Sequence, residues 1–351
     1  MKILPVELQT FCETALRKAG LAPADAAAAS DVLVTTDSWG VFTHGTKSLR
    51  GYIRRLRAGG LRARAIPKII AQGPAWALVD ADSGLGMVAA RFAMERAIAK
   101  ASGAGIAYVG LRNGCHFGAA GYYAALAAKA GQIGLAMAND IPTVTVPGAR
   151  GPVLGSNPFA FACPTGTDHP VLLDMATSTV AGGKVFAAAA LGQSIPSHWI
   201  VDAGGRPTTD PRRFPEEGAL TPMGGHKGYG LALLIETLSA VLTGAAITRQ
   251  VVSWMYGPPD LPTGHGAAFI AVDIAALMPL ANFQRRMAEL IAEIRAAPKA
   301  ERSERIYLPG EMEWERREKA MAEGIDLPED VVASLRALAE DFALEEPHFE
   351  K

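Results

Sequence analysis

Apolar positions recur at helical spacing through residues 5–58, in about three pieces broken near Gly20 and near SWGVFTHG. In LRGYIRRLRAGG, Leu49, Ile53 and Leu56 share one helical face, and Gly59-Gly60 supplies the stop. Thr43 and His44 stand just before that helix, where a threonine can cap and first-turn N–H groups are free. From Trp76 the pattern changes to short apolar runs alternating with helical periods. AWALVDAD, GIAYVGL and IGLAMAN read as strands, with MVAARFAMERAIAKA and AAGYYAALAAKA as helices between them. Residues 139–225 are richer in Gly, Pro, Ser and Thr, with short strands such as VLLDM, the texture of site-building loops. A core helix begins near Lys227, AAFIAVD gives one more strand, and amphipathic helices end the chain.

This rhythm predicts an α/β layered fold. A chain of 351 residues also exceeds the usual span of one core, so more than one domain is expected. We divide it into a helical N-terminal segment (1–75), a central α/β region (76–273) that binds cofactor and builds the site, and C-terminal helices (274–351) that pack with the N-terminal segment.

Composition narrows the partners. With 49% hydrophobic and 20% charged residues, the chain is that of an ordinary packed protein, and a net charge of −1 argues against nucleic acid or an anionic membrane. Locally the balance shifts: from Ser38 to Val79 there is no acid, whereas Lys47, Arg50, Arg54, Arg55, Arg57, Arg62, Arg64 and Lys68 all fall there. Such a run is either a solvated helix face or a positive field for a small anion. The three cysteines (Cys12, Cys115, Cys163) form no CxxC pair, so neither disulfides nor structural zinc is expected, and a reducing cytoplasm is. The opening MKILPVELQTF lacks an uninterrupted apolar run, so no signal peptide is expected, and the apolar helix candidate at 227–244 carries Lys227 and Glu236.

Candidate chemistry concentrates in a few stretches. Gly84, Gly86 and Ala89 spell G-x-G-x-x-A after a strand, yet the next strand ends in Leu111, Arg112 and Asn113 rather than in an acid for a ribose, so the turn reads as packing. No HxH or HExxH arrangement is present, and no metal is expected. His44, His116 and His226 each sit beside glycine in loops leading into helices, and histidine is suited to proton transfer near neutrality. Cys115 precedes His116, but consecutive side chains diverge and no thiolate trap is readable, so Cys115 is expected to be a buried turn residue. DMATSTVAGGK and MGGHKGYG place hydroxyls, glycines, Lys184 and Lys227 at helix starts, as a phosphate-bearing cofactor requires.

These residues resemble the malate/L-lactate dehydrogenase family of the non-Rossmann type, which includes sulfolactate, ureidoglycolate and 2,3-diketogulonate oxidoreductases and piperideine-2-carboxylate reductases. The likeness runs in order through THGTKSLRGYIRRLRAGG, NGCHFGAAGYY, LGSNPFAFACP, LDMATSTVAGGK, GRPTTDP, MGGHKGYGLALLIETLSAVLTGA and YLPGE. It implies a three-layer α/β NAD(P)-binding domain without the usual dinucleotide motif, joined by a helical domain from the two chain ends, in a homodimer. It also implies hydride transfer between NAD or NADP and a small anionic 2-oxo or 2-hydroxy acid. By resemblance the acid/base role maps to His44 or His116, with Thr43 and Asp174 as further catalytic candidates. Cofactor contacts map to Asp174, Met175, Ala176, Thr177, Ser178, His226, Lys227, Pro309, Gly310 and Glu311. Two departures bear on the substrate: Thr43 and Ser48 stand where the family commonly has Ser and Arg, and Asn139-Asp140 replaces Asn-Ser. A point charge from Lys47 or Arg50 would then replace a bidentate clamp, with Asn139 and Asp140 as further substrate contacts.

Alternatively, within the same chemistry, the substrate is a cyclic 2-imino acid held with help from Asp140. A ligand-binding protein that keeps the fold without turnover, and a hydrolase using Cys115, are the competitors from other classes.

Overall fold

The computed structural model describes residues 1–350. A two-residue strand β1 (Lys2–Ile3) leads into α1 (Pro5–Lys18) and α2 (Pro23–Ser38), each opened by a proline at the first helical turn, where a missing N–H costs nothing. A short 3₁₀ turn (Thr46–Ser48) then feeds α3 (Leu49–Ala58), which ends at Gly59 in the left-handed conformation (φ 93°). Next come β2 (Lys68–Gly73), β3 (Trp76–Asp80), α4 (Gly86–Ala104), β4 (Ile106–Gly114), α5 (Ala120–Lys129) and β5 (Gln132–Ala138). The hairpin partners β6 (Phe159–Cys163) and β7 (Val171–Met175) precede α6 (Gly182–Ala190). The short strands β8 (Ile200–Val201), β9 (Pro207–Thr208) and β10 (Ala219–Leu220) make a small sheet, followed by α7 (His226–Glu236), whose last turns widen into a π-helix over Thr237–Val241. β11 (His265–Asp273), α8 (Leu280–Ala296), α9 (Glu311–Glu323), β12 (Ile325–Asp326) and α10 (Glu329–Phe342) complete the fold.

The central sheet runs β2-β3-β4-β11-β5-β6-β7, and only the β3–β4 pair is parallel. Helices α4 and α5 cover one face; α7 and its π turn lie against β4, β5 and β11 on the other, giving three layers. Alanine sets the spacing of the first interface: Ala89, Ala90, Ala93, Ala97, Ala124 and Ala127 are buried. Gly134 lets α5 come close enough that a Cβ there would meet the Ala124 carbonyl at 2.5 Å. Bulkier residues at these alanines would overpack the interface, typically at 1–3 kcal/mol each, roughly.

β11 is the topological key, since it enters between β4 and β5 from residues more than a hundred positions later. The two chain ends also meet. β1 pairs antiparallel with β12, α9 packs on α2, and Val331, Leu335, Leu338 and Phe342 of α10 are buried toward α3. α8 lies outside that packing, with none of its residues buried.

Candidate functional site

Two loops bring the histidines together. The first is held by Asp37 at the end of α2, a buried carboxylate that accepts from the Thr46 N–H (3.0 Å) and hydroxyl (2.5 Å). Burial pushes this carboxyl up to about 7, with the Thr46 bonds opposing. The residue between must be glycine, because a Cβ on Gly45 would sit 1.8 Å from Asp37 Oδ1. His44 thus has a fixed backbone, and its Nδ1 lies 2.8 Å from Thr43 Oγ1. The second loop leaves β4. There the Gly84/Gly86 turn shows its purpose: a Cβ on Gly86 would meet the carbonyls of Cys115 (2.2 Å) and His116 (2.4 Å). Gly86 serves close packing under His116, and Gly84 does the same against Ala65 (2.6 Å from a Cβ there), as expected of a non-Rossmann turn. Cys115 is buried and burial pushes its thiol up to about 11, leaving it neutral.

The His44 and His116 ring centroids stand 5.4 Å apart. Tyr52, on the inward face of α3, places its hydroxyl 2.5 Å from His116 Nδ1, and Trp254 stacks on both His116 (4.4 Å) and Tyr52 (5.0 Å). Trp254 is held by Arg55, a fully buried guanidinium that donates to the carbonyls of Trp254 (2.7 Å), Ser253 (2.6 Å), Leu261 (2.9 Å) and Gly257 (3.3 Å). Burial, with Cys115 nearby, pushes the Tyr52 phenol well up, so it stays protonated. Its hydroxyl donates to Nδ1 of the neutral ring that carries its proton on Nε2, and accepts from Nδ1–H when the ring is protonated.

Burial pushes His44 down, with Asp140 opposing; burial together with His44 pushes His116 well down, Asp140 again opposing and His265 adding. His265, on β11, donates from Nε2 to Asp140 Oδ1 (3.2 Å). Burial alone would raise the Asp140 carboxyl, but His265, the nearby His116 ring and the Ile141 N–H outweigh it and hold it below the ordinary range. Tyr52, Arg55, Trp254 and His265 had no signal in a single sequence beyond their residue types, because each acts through a partner distant in the chain.

The expected cofactor stretches lie along β7: residues 177–178 meet 222–223 beyond its end, and Pro309-Gly310 packs at Leu172 near its start. The Met223 N–H donates to the Thr177 carbonyl (2.9 Å), Ser178 bridges to Pro222, and the Leu172 N–H donates to the Pro309 carbonyl (3.0 Å). Gly310 (φ 90°) presses on the Leu172 backbone, and Glu311 accepts from the Leu308 N–H (2.8 Å). A Cβ on Gly183, at the start of α6, would lie 3.7 Å from the Thr43 methyl, so this region adjoins the histidines. Asp174 accepts from the Gly121 N–H (2.7 Å). The protein packed around its carboxyl pushes it up to about 6, against the Gly121 bond and with Glu313 adding, although the residue keeps an exposed edge that tempers the effect. Met175 and Ala176 are half-buried, whereas Lys184, His226 and Lys227 are exposed. The hydroxyls of Thr177 and Ser178 donate inward, to the carbonyls of Ser156 (2.9 Å) and Val180 (2.8 Å), so they brace the loop rather than offer protons to a phosphate.

Three expected substrate contacts have protein partners in this structure. Lys47 pairs with Asp330 (2.5 Å) and Arg50 with Asp341 (2.7 Å), both on α10. Residues two apart on a helix point to different sides, so Arg50 faces away when Tyr52 faces His116. The Asn139 side chain is buried and fully engaged: it donates to the Ala246 carbonyl (2.8 Å) and accepts from the Gly266 N–H (2.8 Å). Among the described residues no group of three or more His, Cys, Asp or Glu could hold a metal, and no helix is long and apolar enough to cross a membrane.

The sequence profile of the malate/L-lactate dehydrogenase family matches residues 3–336. The chain is 36% identical over 345 residues to a malate dehydrogenase of Pyrococcus horikoshii, covering 96% of this chain and 94% of that one. The structure of the sulfolactate dehydrogenase of Methanocaldococcus jannaschii superposes with a TM-score of 0.91 at 36% identity, covering 98% of both chains. A Δ1-pyrroline-2-carboxylate/Δ1-piperideine-2-carboxylate reductase of Pseudomonas putida is 33% identical over 332 residues, 95% of each chain.

Proposed function

The chain belongs to the malate/L-lactate dehydrogenase family, and on that premise we propose that its histidine cluster delivers the proton in NAD(P)-dependent reduction of a small 2-oxo acid to its 2-hydroxy acid, and removes it in the reverse direction. The observation that carries this reading is the Tyr52 hydroxyl on His116 Nδ1, which holds the ring beside His44 and accepts from Nδ1–H when the ring is protonated, so that Nε2–H of the imidazolium is the acid. Bound NAD(P)H supplies the hydride; this chain's residues position, shield and protonate. His116, as the imidazolium, gives its Nε2 proton to the carbonyl oxygen as negative charge develops on it and is left neutral. Trp254 walls the ring from water, and Thr43 sets the orientation of His44.

The region around Asp174, Met175, Ala176, Thr177 and Ser178 is the cofactor's cradle in this reading, with Pro309, Gly310 and Glu311 behind it. The fit rests on the exposed Lys227 and His226, the glycines Gly224 and Gly225 at positive φ, and the free first turn of α7. A homodimer is supported by apolar side chains exposed along α7 and its extension: Leu233, Leu234, Val241 and Leu242, all 47–60% accessible. Three unpaired, buried cysteines suit a reducing cytoplasm. The division into a cofactor-binding region (76–273) and a helical unit from both chain ends is supported by the β1–β12 pair and the α3–α10 packing.

A second reading, reduction of a cyclic 2-imino acid, is favoured by one observation: the ionised group nearest the histidines is the Asp140 carboxylate, which attracts an iminium and repels a plain oxo acid. Mixing the purified protein with NADH and with NADPH, then adding 2-oxo acids or cyclic imino acids, tests both. Binding of a reduced nucleotide and its oxidation by one substrate class are expected; no binding of either at millimolar concentration overturns the oxidoreductase reading.

A further inference from the structure

Within the histidine cluster Asp140 is only partly committed. Its Oδ1 accepts from His265 Nε2 (3.2 Å) and from the Ile141 N–H (2.7 Å), whereas Oδ2 accepts no hydrogen bond among the described residues. The side chain keeps 24% of its surface accessible, while that of His265 keeps 5%. The backbone of Asp140 is fixed too: its N–H donates to Asn157 Oδ1 (3.2 Å), and a Cβ on Gly155 would meet its carbonyl at 2.5 Å. Every titratable or charged neighbour can be placed. His44 comes from the loop before α3, and His116 and Cys115 from the end of β4. His265 comes from β11, and Tyr52 and Arg55 from α3. Glu236 of α7 stands behind Asn157, which donates to it at 2.9 Å. Cys115 is neutral, Tyr52 is protonated, and Arg55 is bound to four carbonyls. His265 stands in register with Gly114, two residues before His116, so its hydrogen bond brings Asp140 to the histidine loop. Asp140 is the anion whose charge acts on both rings.

A histidine in such a desolvated site holds a proton poorly unless an anion stands by. We propose that Asp140, braced by His265, is the counter-charge that lets His44 or His116 carry its proton in the cleft, and is thereby a positioning residue for the acid/base step. His265 orients the carboxylate through one oxygen and leaves the other without a hydrogen-bond partner among the described residues. The nearby charges agree in direction: Asp140 favours the protonated form of both His44 and His116, whereas His44 disfavours it at His116. The structural role and the charge are separable, because Asp140→Asn keeps the shape and a hydrogen-bond acceptor for His265 while removing the anion.

The first test needs neither substrate nor cofactor, so its failure is distinct from failure of the proposed reaction. Proton NMR titration of the histidine rings in the unliganded protein is compared for the parent, Asp140→Asn and the smaller Asp140→Ser. Both variants are expected to lower the midpoints of His44 and His116 by about one pH unit. His265→Gln, which keeps a donor at the brace, is expected to shift them less. Unchanged midpoints in both Asp140 variants overturn the proposal. The second test rests on the oxidoreductase reading. In the reductive direction the rate requires a protonated histidine, so kcat falls as pH rises through its midpoint; Asp140→Asn should move that limb to lower pH with little change in KM. A change in KM alone, with the limb unmoved, would make Asp140 a substrate contact and overturn the positioning role.

Discussion

The histidine cluster and the loops at the end of β7 are neighbours built on opposite plans. In the cluster, nearly every polar group is engaged by protein: Tyr52 on His116, His265 on Asp140, Arg55 on four carbonyls, Trp254 stacked on two rings. In the loops the groups with charge to offer, Lys184, His226 and Lys227, stand exposed beside glycines, and only the bracing hydroxyls are turned inward. The contrast follows from what each region must do. A proton donor is useful only at a fixed angle and distance from the reacting atom, so it is oriented before any ligand arrives. Groups that meet a large, charged cofactor gain more from remaining free to close on it.

The sharpest way to break this comparison is His116→Ala. It should lower kcat by roughly 10²–10⁴-fold while nucleotide affinity, measured by fluorescence titration, stays near the parental value. Equal loss of both would mean that the two regions are not separable. Next is Arg55→Met, which leaves four carbonyls without their donor and frees Trp254. Denaturant unfolding should show a loss of about 2–4 kcal/mol, with kcat reduced as the wall loosens. Lys227→Ala probes the open region: KM for the nucleotide should rise about tenfold with kcat little changed, as removal of binding common to ground and transition states requires. A fall in kcat alone would place Lys227 with the rigid group. The smallest effect is expected from Lys47→Met and Arg50→Met. These exposed pairs should cost under about 1 kcal/mol each and leave kcat/KM within about twofold. A large loss of kcat/KM would restore them as substrate contacts.

The basic run of residues 47–68 shows why some of the site was not legible. The sequence offers eight cations without an acid, which looks like an anion trap. The acids are present but distant in the chain: Asp330 and Asp341 on α10 meet Lys47 and Arg50, and Asp82 meets Arg62. Arg55, in the middle of the same run, turns inward instead because its helical position shares the face of Tyr52 and Leu56. β2, inside the run, was equally hidden: its residues are mostly exposed at the sheet edge, so they carry little apolar alternation. By contrast α1–α5, β3–β5 and β11 are legible in the chain, because their apolar positions are the ones the core buries.

The amino-acid sequence by itself determined the elements, the two histidine loops, the non-Rossmann character of the Gly84/Gly86 turn and the family, since all depend on spacing within a few dozen residues. The tertiary structure decided which groups answer one another. β11 inserts between β4 and β5, carrying His265 to Asp140, and α3 meets the 253–261 loop, setting Trp254 over His116. Strand order and helix packing make those pairings, and neither is written in local periodicity.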